Sequence, residues 1–570
     1  GIRLYQDGIP LTSPDGTTQL DELSGFDIYS MEIVRSGMAA RLGNSAGGTI
    51  ALKSTNYFDG LKLSGNLQQF GAYNTGIKYG KETSVFSNVL SVNHHYFEGK
   101  RDYSRSRNTT LYNKLRFKIH EKWQLEWLTG LYWSPIGTDP GGRTLSEIGT
   151  DKFGANPRNK EYKAGEKVNG LMTALTSKYF VSDRSFFQSS LFYRKRNFEA
   201  LLPFEGSGLV NLDRDFVGIS NSYEIGTVKN ATIIIGHTAE YQNDLRKLFN
   251  NLKGIKGVGT SNQNETVFNT ALFQQLRISL QKWEIHQQFR WDYNRFQLKD
   301  RFVSDGIQNG SQNFNTINGS FGVGFLPDKS MKLFSNVSTS FEMPSLNELS
   351  NNPNGPGFNP FLSPEKSVQV ETGLSFLPSG KFQIQGTLFF IRLLDQIVSY
   401  ELAETPGRSY YRNAARSNRR GTEVAVRYLP NESFNINLNY VWSDFRYLDF
   451  VSGNVDYSGN FQTLVPKHKV QLMLSFNFIK YAGVQLSCGF YDGMWLDDGN
   501  TIQTKSYGDL NMLLHTTLSF SRKLQVGLQL NNAFNRMAYS NFRSNAAAMR
   551  FYEIASPMHA GIFFKADLVN

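Results

Sequence analysis

The side chains that could do chemistry in this sequence are scattered, and their spacing points to binding rather than catalysis. His94-His95 is the one close pair among eight histidines. Adjacent residues on a strand face opposite sides, so the pair is a poor chelate and no metal site is expected. Cys488 is the single cysteine and has no intrachain partner. Asp497-Asp498 precede Gly499-Asn500 and read as a turn, not as an acid–base pair. No enzyme activity is expected. What remains is polar recognition. The run Leu11–Leu20 (LTSPDGTTQL) gathers Asp15, Thr17, Thr18 and Gln19 around Gly16, which lets a ligand approach the backbone. Arg143, Arg408, Arg412 and Arg416, with Arg419 and Arg420 beyond, offer planar guanidinium forks. Such forks suit a carboxylate-bearing or otherwise anionic ligand, and equally the phosphates of a cell surface.

These groups must be carried by strands. Phe434, Ile436, Leu438, Tyr440 and Trp442 alternate with Asn435, Asn437 and Asn439. Val484, Leu486, Cys488 and Phe490 alternate with Gln485, Ser487 and Gly489, and Leu524 to Leu530 repeat the pattern. Side chains on a strand alternate between faces, so one face is apolar and the other is built of Asn, Gln, Ser and Gly. Leu472 and Leu528 fall on the apolar face, Gln471 and Gln529 on the polar one.

Short polar turns separate these strands at Gly80–Ser84, Ile119–Lys122, Val181–Ser185, Gly226–Asn230, Ser279–Lys282, Leu326–Ser330, Leu377–Lys381, Leu429–Ser433, Phe478–Ala482 and Phe520–Lys523. Longer polar segments alternate with them: Ser134–Asn169, Asn197–Phe216, Leu245–Asn264, Pro344–Glu365 and Leu402–Asn418. Short turns on one side and long loops on the other describe an all-β, antiparallel up-and-down transmembrane β-barrel. Turns in that number imply about 22 strands, the barrel class with a plugged lumen. A soluble β-sandwich also alternates, but at this length it would split into domains. No linker or composition break divides residues 60–570.

Composition agrees. Aromatic residues make up 14% of the 570 residues, and Tyr79, Tyr96, Trp133, Tyr179, Tyr241 and Tyr428 stand near strand ends, where interfacial girdles sit. The mean hydropathy of −0.39 fits a barrel, which shows lipid only half of its strand residues. No apolar run reaches the ~18 residues that a membrane helix needs. The net charge of +11 is spread over turns and loops without a compact block. Nucleic acid is therefore not an expected partner; lipopolysaccharide phosphates outside and an anionic solute inside fit better.

Residues 1–56 do not follow the barrel rhythm. Gly1–Pro10 is a short strand ending in an Asp-Gly turn, Ser30–Ser36 a second strand and Ala46–Thr55 a third. Gly37, Gly43, Gly47 and Gly48 punctuate the stretch between them. The segment resembles the second half of the plug of TonB-dependent outer-membrane receptors. The resemblance rests on Leu4 to Pro10 with Asp7, Gly8 and Pro10, on Met31 to Gly37 with Glu32, Arg35 and Gly37, and on Leu42 to Ile50 with Gly43, Gly47 and Gly48. It continues through Phe341–Leu349 and Asn359–Glu365, through Arg420-Gly421-Thr422-Glu423 as a strand start, through Val465–His468, and through Asn531–Asn535 with Tyr539.

The resemblance implies the C-terminal half of a plug over 1–56 and a barrel over 57–570. It implies a signal peptide, a TonB box and the first half of the plug ahead of Gly1, through which TonB–ExbB–ExbD would energise a monomer in the outer membrane of a Gram-negative bacterium. Residues 11–20 would rise into the extracellular vestibule, with the arginines above as a lid. No covalently bound cofactor is implied. The family default for the ligand is a ferric siderophore or similar iron chelate. Residues 1–19 with Gly43–Gly48 also resemble the subgroup that contains the pyrroloquinoline quinone importer, so a quinone cofactor stays open. The absence of His from Phe341–Glu365 disfavours haem. The alternative from another class is a non-transporting structural or adhesive barrel.

Overall fold

A computed structural model describes every residue except 1, 21, 36–41, 44–46, 227–229, 402–408, 480, 520–522 and 569–570. Its body is a closed barrel of 22 antiparallel strands, running from Gly60–Gln68 to His559–Leu568. Those two strands pair with each other, Leu67 beside Ile562 and Leu63 beside Ala566, which closes the wall. Strand junctions fall at all ten anticipated turns. Their residues explain why the chain reverses there. Asp328 accepts bonds from the backbone and hydroxyl of Ser330 (2.7 and 2.6 Å), and Asn431 accepts one from the Ser433 amide (2.9 Å). Short Asp and Asn side chains thus satisfy the turn's own backbone.

The register places the period-two pattern as anticipated. Leu472 lies between Leu438 and Cys488. Leu528 lies between Leu514 and Ile562, and all three are about half exposed around an outward apolar belt. Gln529, on the other face, donates to Asn66 across the lumen side (2.8 Å). Because the alternation has period two, a slip of one residue would turn this belt inward.

Some loops are shorter than the sequence suggested. Leu245–Asn264 is not a loop: Ala231–Leu252 and Ile255–Leu280 run on as one hairpin closed at Lys253-Gly254, both at positive φ (53° and 92°). That conformation matches the right-handed twist of the two strands and lets them extend. The loop expected at Asn197–Phe216 shrinks to 202–208, and the strand Ser409–Asn431 begins well inside the expected Leu402–Asn418 loop. Arg420-Gly421-Thr422-Glu423 accordingly lies in the middle of that strand rather than at its start.

Inside the barrel stands a small mixed sheet of β1 (Arg3–Gln6), β2 (Ile9–Pro10), β3 (Ile28–Val34) and β4 (Thr49–Ser54), in the order β2-β1-β4-β3. The β1–β2 turn is Asp7-Gly8, both at positive φ, where an Asp-Gly pair is least strained. The Asp7 carboxylate accepts from the Ser54 amide (3.0 Å) and from Tyr112 of the barrel. β1 runs parallel to β4, Arg3 beside Thr49 through Gln6 beside Leu52. Leu4, Ile9, Leu11 and Leu52 pack against the inward-facing Tyr112, Leu128, Met172, Phe192 and Phe216. The molecule's main apolar core is this seam between the sheet and one side of the wall.

Candidate functional site

The polar loop after β2 folds back on itself. Thr12 and Thr18 face each other with hydroxyls 2.6 Å apart, and Asp15 accepts from the amide and hydroxyl of Thr17 (3.0 and 2.7 Å). Gly16, at φ 83°, caps the tip, and Gly16 and Thr17 are exposed.

One side of this loop is fastened to three adjacent strands, Ser185–Leu201, Leu209–Gly226 and Ala231–Leu252. Arg214 pairs with Asp15 (2.5 Å) and with Asp244 (2.6 Å), and its side chain is only 6% exposed. It also donates to the Thr17 hydroxyl (2.7 Å), while Gln242 donates to Asp15 (3.0 Å). Arg196 donates to Gln19 (2.6 Å). Arg194 pairs with Glu22 and donates to the carbonyls of Pro10 and Leu11 (3.0 and 2.8 Å). Arg3 of β1 pairs with Glu240 (2.9 Å). Burial alone would raise the Asp15 carboxyl, but Arg214, Thr17 and Gln242 outweigh it and hold the group below the usual aspartate value. Asp15, Thr17 and Gln19 were expected as ligand groups; the structure engages all three with the wall.

The free side of the tip faces a cavity of about 260 Å³. Its far wall is Phe341, Glu342, Met343 and Glu348, and its floor includes Arg3, Glu240 and Asp292. Glu348 belongs to the helix Leu346–Ser350 and closes a capping box with Ser345. Asp292 is paired with Arg290 (2.9 Å).

The remaining anticipated residues separate by role. Arg143 is buried and donates to the carbonyls of Glu147 (2.6 Å), Gly154 (3.0 Å) and Asp151, so it holds its own loop together rather than meeting a ligand. Arg412 and Arg416 do not reach the cavity. In their strand Ala415 and Ser417 are buried on the lumen side, and Glu423, of the same parity, meets the plug. From Ala415 onward the even residues therefore face outward, Arg416 pairing there with Asp449, while Arg412, beyond a register shift in the pairing, donates to the Val451 carbonyl (3.2 Å). Arg419, not Arg420, is the inward one, donating to Gln462 (2.8 Å). Arg408 and Gly37 lie outside the described residues.

The glycine motif is structural. A Cβ on Gly43 would meet Arg3 at 2.4 Å, and Gly43 and Gly48 have φ of 87° and 97°. The Gly48 carbonyl accepts from the Arg3 amide (3.0 Å), and Gly47 is exposed beside it. Pro10 ends β2, and Glu32 is exposed on β3. Arg35 pairs with Glu371 (3.2 Å) and Glu423 on the wall opposite Arg214.

Residues 49–533 match the family described as TonB dependent receptor-like, beta-barrel. The chain belongs to this family. A stretch of 175 residues is 23% identical to the ferrioxamine receptor of Yersinia enterocolitica, covering 30% of this chain and only 24% of that receptor. The ferric yersiniabactin uptake receptor FyuA from Yersinia pestis has the same fold, with a TM-score of 0.83 at 14% identity over 99% of this chain and 88% of that one. The siderophore receptor PiuA from Acinetobacter baumannii gives 0.81 at 15% identity over the same shares. At these identities the likeness establishes the fold. TonB-dependent receptors are receptors and transporters, not enzymes, that work with TonB and bind small molecules.

The buried arginines Arg194 and Arg214 and the half-buried Arg196 escaped the sequence reading. Their signal was parity: each shares a face with Phe192 or Phe216, which point inward, while Leu191 and Val217 face out.

Proposed function

We propose that this receptor imports a ferric chelate of zero or positive net charge across the bacterial outer membrane, energised by TonB–ExbB–ExbD and working as a monomer. The observation that carries the reading is the charge of the cavity above the plug tip. Its described lining holds Asp15, Glu240, Asp292, Glu342 and Glu348 against Arg3. Adding the paired groups behind it brings Asp244, Arg214 and Arg290, so carboxylates still outnumber guanidiniums. Like charge inside a low-dielectric funnel is strongly disfavoured. Three hydroxamates balance a ferric ion, whereas three catecholates leave a trianion. A trihydroxamate is thus the fitting chemistry, and the partial likeness to a ferrioxamine receptor supports it. A tricarboxylate such as pyrroloquinoline quinone fits this lining poorly, as does the anionic ligand expected from the arginines.

The test is quenching of intrinsic tryptophan fluorescence in the purified full-length protein. A cationic ferric trihydroxamate should bind at least roughly tenfold more tightly than a ferric tricatecholate, with the gap narrowing as salt rises. Preference for the tricatecholate would sink the reading. Orientation is checked on intact cells: a maleimide should label Lys163→Cys from outside and leave Lys381→Cys untouched.

A further inference from the structure

The cavity beside the plug tip is too small for a whole chelate. Its volume of about 260 Å³ lies below the roughly 300–1,000 Å³ of sites that enclose a drug-sized ligand. Only part of a ferric chelate can enter it, and the walls say which part. Ile2, Pro14, Phe341 and Met343 give the cavity an apolar lining, and Ile2 is half exposed there.

The carboxylates around it are not equivalent. Asp15 is matched by Arg214 (2.5 Å), Glu240 by Arg3 (2.9 Å) and Asp292 by Arg290 (2.9 Å). Glu348 is held differently. Its Oε2 accepts from the Ser345 amide (2.7 Å), a bond that fixes the carboxylate without bringing a cation to it. Its helix is pinned from behind, because Leu346 and Leu349 are buried in a cluster with Val267, Phe296 and Leu362. The charge is thus set in place before any ligand arrives, as a selective site requires. A second acceptor lines the same cavity. Asn269 is only 5% exposed, yet its Oδ1 meets no donor among the described residues. A buried acceptor without a donor costs free energy, so the cavity favours a ligand that brings N–H groups. An apolar lining with a fixed carboxylate and an amide oxygen fits a methylene chain ending in an ammonium, which has three donors and no acceptor.

We propose that the cavity takes an alkylammonium arm of the ferric chelate, its methylenes on Ile2, Pro14, Phe341 and Met343 and its nitrogen at Glu348, while the iron centre stays outside. Given the reading of this receptor as an importer of ferric trihydroxamates, on which this assignment rests, Glu348 chooses among such chelates by the end of one arm, not by the metal.

The experiment measures tryptophan quenching in the full-length protein with three ferric trihydroxamates. One is linear and ends in a primary ammonium, the second is the same chelate N-acetylated at that amine, and the third is cyclic with no amine. The ammonium form should bind about tenfold more tightly than either of the others. Glu348→Gln should remove that advantage and leave the acetylated form unchanged; glutamine also serves in a capping box, so the helix is kept. Should the variant fail to assemble, the comparison of chelates on the wild type decides by itself. Equal affinity of the ammonium and acetylated forms, equal or tighter binding of the cyclic chelate, or an equal loss for both linear forms in Glu348→Gln would overturn the assignment and leave the importer reading intact. Binding of none of the three would remove that reading and the assignment with it.

Discussion

Arginines on two walls of this barrel meet opposite surroundings. On the strand Leu209–Gly226, Arg214 is buried between two carboxylates, one from the plug and one from the wall. On the strand Ser409–Asn431, Arg416 and Arg420 stand half in solvent above the apolar belt, each with a partner of its own wall. Residue type and local secondary structure are the same. The difference is parity: Arg419 and Arg420 are neighbours in sequence, yet one faces the lumen and the other the lipid headgroups. A guanidinium facing inward fixes the plug; one facing outward is free to meet a solute or a lipid.

The largest expected effect lies on the inward side. Arg214→Ala leaves Asp15 and Asp244 buried without their cation, which should cost about 3–5 kcal/mol. The loss should appear as a lower urea midpoint and as ion leakage through the full-length protein in planar bilayers. A tight, undisturbed variant would erase the distinction drawn between the walls.

Next in size is a cation placed on the wrong face. Leu528→Arg should cost about 2–4 kcal/mol near the bilayer midplane, whereas Gln529→Arg, one residue on and facing the lumen, should cost clearly less. Equal losses in refolding titrations would remove the register.

A smaller effect depends on pH. The Asp15 carboxyl is held below its ordinary value of 3.8 in the folded protein. Its contribution is therefore complete above that value and is lost as pH falls through the lower, folded one. Urea midpoints measured from neutral to strongly acidic pH should show an acid-side decline that is shallower in Asp15→Asn. Identical profiles would mean that the Asp15–Arg214 pair adds nothing to stability over that range, since Asp244 belongs to the wall and cannot hold the plug. The smallest change belongs to Arg416→Ala, under about 1 kcal/mol, since an exposed pair adds little to stability. A loss as large as that of Arg214→Ala would show that its exposure has been misjudged.

Turns and strand parity were legible because they depend on local rules. Asp328, Asn431 and their neighbours close turns by themselves, and Leu528 and Gln529 sort by alternation alone. Parity also held the direction of Arg416, since Val424, Val426 and Tyr428 share its face; counting back from those apolar residues would have turned it outward. What stayed hidden depends on the third dimension. Nothing local marks Phe192 or Phe216 as the surface on which the plug rests, because an apolar residue on the polar face reads as an irregularity until the plug is beside it. Arg143 looked like a binding residue for the same reason: its carbonyl partners come from its own loop, and a sequence does not show a loop closing on itself.

The parallel pairing of β1 with β4 has a mechanical consequence. The N-terminal ends of the two strands lie together, and β4 leads from its far end into the first barrel strand. Tension between the Arg3 end of β1 and the barrel therefore slides the strands along each other instead of peeling them apart. All the rungs from Arg3 beside Thr49 to Gln6 beside Leu52 are loaded at once. A hairpin pulled at its open end gives way one rung at a time; this pair must yield as a unit, which makes it the mechanically stiff joint between the plug and its wall.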